Sequence, residues 1–213
     1  MIILVDRSAS RQPHMLAEGK RFIADIVNTL TYGDEIVLIE MHQGSATEDV
    51  RRWSASIPAL EDPAFESIRD EQRRSGVRQG AMAVVEEFFE GDARAANTDI
   101  LSTLQVAAEY VRDASGRRTI LLILSDMLQS ANGIEMERQR RMPEPGWLEA
   151  QRVAGLLPAL DGVCVAVIGA DATTPDGAAV KRFWQDYFTA VGARLSDGNY
   201  RIVPPGAGAI GCS

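Results

Sequence analysis

Ile2-Ile3-Leu4-Val5-Asp6-Arg7-Ser8-Ala9-Ser10 stands at the head of the chain. Four aliphatic residues in a row are followed by a carboxylate and two hydroxyls at every second position. The stretch reads as a buried strand running into a polar loop. Three further runs have the same character: Ile36-Val37-Leu38-Ile39, Ile120 to Leu124 and Val163 to Ile168. A strand covered on both faces needs no polar alternation, so such runs predict a parallel sheet between two helical layers. Two weaker runs read as edge strands: Val50 to Trp53, and Tyr200-Arg201-Ile202-Val203, which stops at Pro204-Pro205.

Between the runs the apolar spacing changes to that of a helix. Met15, Gly19, Phe22, Ile23, Ile26 and Leu30 share one face, and Ile100, Leu104, Ala107, Ala108 and Val111 share another. Val153, Leu156, Leu157 and Leu160 predict a third helix, disturbed near its end by Pro158. Val180, Phe183, Trp184, Tyr187, Phe188 and Val191 predict a fourth that ends at Gly192, its aromatic stripe packing on the sheet. Strand and helix in alternation give the α/β class, an open and mostly parallel sheet with helices on both faces. Residues 54–95 break the rhythm. Ala64 to Glu90 is charged and helical in composition, with a break expected at Gly76, and reads as an insertion into a single domain of residues 1–203. Residues 204–213 are expected to form a flexible tail.

Composition removes several classes of function. The chain has 213 residues, 46% of them apolar, and a net charge of −8, which suits one large globular domain. No apolar run approaches the ~20 residues of a membrane-spanning helix. The acidic balance repels a nucleic-acid backbone. No signal peptide is visible, so the expected location is cytoplasmic by default, or exported if a segment upstream was removed. Cys164 and Cys212 suggest neither a disulfide framework nor a zinc site. Gly206-x-Gly208-x-x-Gly211 matches a dinucleotide fingerprint formally, but no helix or acidic partner follows it.

The chemistry gathers where strands end. In an open parallel sheet, ligands bind beyond the carboxyl ends of the strands. Asp6, Ser8 and Ser10 follow the first strand, Asn97-Thr98-Asp99 precedes the second helix, and Ser125-Asp126 follows the strand Ile120 to Leu124. Carboxylates and hydroxyls from three loops can form the oxygen shell that a small hard cation prefers. Each residue also has a plain structural use. Serine, threonine and asparagine cap helices, and aspartate ends strands in turns.

In Asp6-x-Ser8-x-Ser10, in Thr98 at a helix start and in Asp126 after a buried strand, the sequence resembles the von Willebrand factor A (VWA) domain family. The resemblance covers about residues 1–203 and implies a Rossmann-like three-layer sandwich with a metal-ion-dependent adhesion site. It implies that Ser8, Ser10 and Thr98 offer hydroxyl oxygens to Mg²⁺, with Mn²⁺ or Ca²⁺ as alternatives. Asp6 and Asp126 would hold the cation directly or through water. A partner protein's Asp or Glu would complete the shell, so the expected role is that of an adaptor or regulator and not an enzyme. Association with an AAA+ ATPase-linked assembly is a further implication of the family. The chain departs from the family pattern in Met127 after Asp126, in Ala96-Asn97 before Thr98 and in Arg7 beside the first carboxylate.

Two other functions compete. One is a metal-assisted phosphoryl or ester hydrolase using Asp6 or Ser8, although the chain has no P-loop, Gly-x-Ser-x-Gly elbow or His–Glu zinc motif. The other is a VWA scaffold with a vestigial metal site that binds partners through the insertion or through residues 127–146. That second segment, with Met127, Met136, Met142, Arg138, Arg140 and Arg141, reads first as a solvated loop and second as a rim for an acidic partner. Arg73, Arg74 and Arg78 read as a solvated face, and His14 and His42 as structural or solvent-facing.

Overall fold

The computed structural model of the chain describes residues 1–8, 13–41, 51–90, 97–114, 116–137, 141–206 and 210–211. Its six strands are β1 (Ile2–Asp6), β2 (Glu35–Met41), β3 (Arg52–Ser56), β4 (Ile120–Leu124), β5 (Cys164–Ile168) and β6 (Arg194–Arg201). The helices are α1 (Pro13–Thr29), α2 (Ile68–Phe89), α3 (Ile100–Asp113), α4 (Trp147–Val153) and α5 (Pro175–Ala190). The strands form one sheet in the order β3-β2-β1-β4-β5-β6. All pairs are parallel except β2 with β3. This is an α/β sandwich of the VWA or Rossmann-like kind.

Residues alternate between the two faces of each strand, and the helices follow that division. Leu4, Ile39, Ile123 and Val165 point to the layer of α3 and α5, where Leu104, Trp184 and Phe188 are buried. Ile3, Val5, Leu38, Leu122 and Ala166 point to the layer of α1 and α2, where Phe22, Ile23, Val85 and Phe88 are buried. Ile210 is buried in this second cluster too. The central strands are thus apolar along most of their length because both faces are covered, as their composition indicates, with Asp6 closing β1 and Glu35 and Glu40 the polar positions of β2.

The expected edges and one expected helix differ from the observed ones. β3 is antiparallel and begins at Arg52, later than Val50. β6 starts upstream at Arg194 and ends at Arg201, leaving Ile202 and Val203 exposed. Its middle, Ser196 to Gly198, is polar and exposed, and the pairing with β5 shifts register between Val165 and Val167. An irregular edge strand of this kind carries no apolar signature. The helix expected around Val153 to Leu160 lies upstream, as α4, and Val153 is its last residue. Gly155 at φ +67° follows it, and a left-handed residue at that place closes a helix. Gly76 does not interrupt α2, which is continuous from its capping box of Ser67 and Asp70.

α2 belongs to the body of the domain. Ala81, Val85 and Phe88 are buried, and Arg78 reaches the residue that follows α1, donating from Nε to the Leu30 carbonyl at 3.1 Å. Arg78 therefore does more than face solvent. Arg74 pairs with Glu66 at 3.0 Å and lies over the Tyr32 ring. Cys164 is disulfide-bonded, a single bond that the sequence reading, which found no disulfide framework, did not foresee. Cys212 lies outside the described residues.

Candidate functional site

β1 is where the winding of the sheet reverses. From it the chain moves outward to β2 and β3, then returns to its other side for β4, β5 and β6. The crevice above such a switch point is the favoured ligand position in doubly wound sheets. Asp6 ends β1 and Ser125-Asp126 follows β4, the neighbouring strand.

Asp6 is fully buried. Its Oδ1 accepts from the Ser8 amide at 2.9 Å and from the Thr98 hydroxyl at 3.4 Å. Its Oδ2 accepts from the Ser125 hydroxyl at 2.7 Å. Segments about a hundred residues apart in the chain therefore meet on one carboxylate. Ser8 and Thr98 are buried, and Asp126 is half-buried. The Oδ1 of Asp126 accepts from the Leu128 amide at 3.0 Å. Ser10 and His42 lie outside the described residues, and His14 is exposed at the start of α1.

Arg7 does not crowd this rim with positive charge. Its side chain is buried and donates to the carbonyl oxygens of Phe88 and of Glu90, the latter at 2.8 Å. Those carbonyls close α2, where a cation also meets the negative end of the helix dipole. One residue between Asp6 and Ser8 thus ties the rim loop to the end of the inserted helix.

Met127 occupies the left-handed region at φ +66° and is fully buried. Such a backbone conformation costs a non-glycine residue roughly 1–2 kcal/mol. Two bonds fix it in place. The Met127 amide donates to the Ser125 hydroxyl at 3.0 Å, and the Trp184 indole donates to the Met127 carbonyl at 2.8 Å. Met127 therefore sits in a conformation that ordinarily favours glycine, with its backbone held by α5. Met136 is buried as well, and Arg141 pairs with Glu144 at 2.8 Å. Met127 therefore takes no part in an exposed rim. Arg138 and Arg140 lie outside the described residues.

A polar network that the sequence reading missed supports the Thr98 loop. Asp99 caps α3 by accepting from the Ser102 amide at 3.1 Å. The Gln129 Oε1 accepts from the amides of Ile100 and Leu101 at 2.7 and 3.2 Å. Asn132 donates to both oxygens of Asp99 at 3.0 and 3.1 Å. The Ser130 amide donates to the Thr98 carbonyl at 2.9 Å. The loop after β4 thus returns to cap the helix that Thr98 precedes. Glu40, near the end of β2, is another buried carboxylate absent from the sequence reading.

Burial raises the Tyr200 hydroxyl pKa, and the negative charges of Asp126 and Asp171 add to the shift. The hydroxyl and amide of Thr173 donate to Asp171 and hold its carboxyl below the usual range.

The donor set fits a hard cation in kind. Asp6, Thr98, Ser8 and Asp126 carry oxygen, and the Asn97 Oδ1, one residue before Thr98, is buried without a hydrogen-bond partner. Among the described residues no group of three or more His, Cys, Asp or Glu side chains is placed to hold a metal ion. The rim instead combines two carboxylates with hydroxyls. Among the described residues no helix is long and apolar enough to cross a membrane.

No family model matches the chain, and no curated protein matches it. Similarity to solved structures is extensive but low in identity. The pilus adhesin SpaC of Lactobacillus rhamnosus GG, in its open conformation, matches 98% of this chain at 15% identity and a TM-score of 0.50. This chain spans only 28% of that adhesin's length. An aerotolerance-related membrane protein of Bacteroides fragilis matches 98% of this chain and 92% of its own at 13% identity, with a TM-score of 0.48. A von Willebrand factor type A protein of Catenulispora acidiphila matches 90% of this chain and 42% of its own at 14% identity, with a TM-score of 0.32. At these identities only the α/β sandwich is common ground, and it rests on the adhesin match together with the strand order.

Proposed function

We propose that the chain is a protein-binding module of the VWA type, an adaptor or regulator whose rim at β1 and β4 takes a divalent cation and, through it, a carboxylate of a partner protein. The observation that carries this reading is the meeting of three loops on Asp6, at the switch point of the sheet. Asp6, Ser8, Thr98 and Asp126 would hold the cation, with Ser10 as a further candidate. Mg²⁺ is the preferred ion because an all-oxygen set of carboxylate, hydroxyl and water suits it. A bound cation would supply an electrophilic position for a carboxylate oxygen. The chain's own residues orient the set: Ser125 fixes Asp6, the Leu128 amide fixes Asp126, and the network of Asp99, Gln129 and Asn132 fixes the Thr98 loop.

This reading makes the module a binder and not an enzyme. Asp6 accepts three hydrogen bonds on its two oxygens, which suits a fixed ligand better than a nucleophile that must approach a substrate. Partners would be proteins offering Asp or Glu, with an AAA+ ATPase-linked assembly as one setting. The same bonds to Asp6 would also hold a vestigial site together without a cation.

Thermal unfolding separates the two. A ligand at 100 times its dissociation constant stabilises a fold by about 2.7 kcal/mol. Added Mg²⁺ should raise the Tm over an EDTA control in the wild type and should leave Asp126→Asn and Thr98→Val unchanged. Equal Tm values with Mg²⁺ and EDTA in the wild type would remove the cation from the account.

A further inference from the structure

Beside Asp126 the surface opens into a cavity of about 380 Å³. Leu128, Met136, Met142 and Val180 give it an apolar lining, and Glu137 and Asp171 supply carboxylates, while Asp126 and Asp176, each already engaged within the chain, complete its wall. No lysine, arginine or histidine is among the described residues that line it. Its volume lies toward the lower end of small-ligand sites, roughly 300–1,000 Å³, which suits a single long side chain. An apolar bed with anionic groups is the complement of a hydrocarbon stem that ends in a cation.

The walls are held in place by the chain itself. Asp171 is turned by its bonds from Thr173, both at 2.7 Å. Its loop presses on the first turn of α5, where a Cβ on Gly177 would come within 2.0 Å of the Asp171 carbonyl oxygen. Only glycine permits that approach. Ser130 donates to Glu137 at 3.5 Å, and Met136 is anchored through its amide to the Gln129 carbonyl at 2.9 Å. Nearby, the Tyr200 hydroxyl is buried without a hydrogen-bond partner and lies in the field of Asp126 and Asp171.

We propose that this cavity is a subsite for a lysine or arginine side chain of the partner, its stem on Met136 and Met142 and its cationic head at Glu137 and Asp171. The inference rests on the proposed carboxylate-binding rim, since Asp126 belongs to both. The recognised segment then carries an acidic residue with a basic residue close to it in sequence. The subsite's own chemistry needs no cation at the rim and is testable without one.

Methionine-methyl NMR of the whole chain in EDTA reads the subsite directly, with n-hexylammonium, n-hexanol and n-hexanoate as probes. Hexylammonium should shift the Met136 and Met142 methyl signals saturably and bind roughly fivefold more tightly than hexanol. Hexanoate should leave them in place. Met82, in the opposite helical layer, should not respond. Glu137→Gln combined with Asp171→Asn should abolish the preference for the ammonium while the Met82 signal reports an intact fold. Equal binding of hexanol and hexylammonium, or shifts that include Met82, would overturn the proposal.

A second arm uses the peptide Ac-Gly-Lys-Gly-Asp-Gly-NH₂ and its norleucine analogue, each with Mg²⁺ and with EDTA. Tighter, Mg²⁺-dependent binding of the lysine peptide supports both ideas. Equal binding of the two peptides with Mg²⁺ dependence retained defeats the subsite and leaves the rim. A preference for lysine that ignores Mg²⁺ defeats the rim and leaves the subsite.

Discussion

The two ends of the sheet differ in what they do with polar atoms. At the carboxyl end of the strands, Asp6, Ser8, Thr98, Asp99, Ser125, Gln129 and Ser130 are buried. At the amino end, Glu35 and Arg117 form an ion pair whose side chains are 32% and 49% exposed. The strands and cores between them are the same. The first rim carries the desolvation of its polar groups and satisfies most of them from three loops, while at the second the Glu35–Arg117 pair stays partly in water and the half-buried Met1 amine donates to the Glu35 carbonyl. Exposed pairs contribute little, whereas a buried group that loses its partner is expensive. This energetic asymmetry is the reason the proposed site is placed at the carboxyl-end rim.

Substitutions can break that contrast, and the largest effect belongs at Asp6. Asp6→Ala removes the acceptor for three donors, so urea unfolding should register a loss of about 3 kcal/mol. Arg7→Met should lose about 2 kcal/mol and speed amide exchange in the last turn of α2, because the Phe88 and Glu90 carbonyls lose their donor. A stable Arg7→Met protein with unchanged exchange would mean that the rim and the insertion are not coupled.

Met127 sharpens the comparison by its order of effects. Both glycine and alanine remove a buried side chain, but only glycine relieves φ +66°. Met127→Gly should therefore be more stable than Met127→Ala by about 1 kcal/mol, the reverse of their usual ranking, measured by the same urea titration. At the opposite rim, Arg117→Ala should change stability by less than about 1 kcal/mol, and the change should shrink further in high salt. A loss there as large as that at Asp6 would erase the asymmetry.

The legible and illegible parts of the molecule divide on the same physical line. β1, β4 and β5 are apolar on both faces, so composition alone marks them as central strands. β6 has an exposed polar middle and a shifted register at the edge, and its sequence carries no comparable signal. The helix that the spacing of Val153, Leu156 and Leu157 predicts does not form, because Gly155 at φ +67° closes α4 between them. In the site, Asp6, Thr98 and Asp126 can be read from their places beside strands and helix starts. Ser125 stands out in the sequence only as the neighbour of Asp126, although its hydroxyl holds Asp6. Gln129 and Asn132 act on α3 from a loop some thirty residues later, and no local pattern announces a bond of that kind. Only the return of that loop across the rim creates it.

The account depends on one ion sharing the oxygens of Asp6, Thr98 and Asp126. Crystals grown with Mn²⁺ and measured for anomalous scattering test this most directly. The account predicts one strong anomalous peak at the rim, contacted by those three side chains or by waters they hold. Well-ordered side chains with the Ser125–Asp6 and Thr98–Asp6 hydrogen bonds in place, and no peak between them, would contradict it.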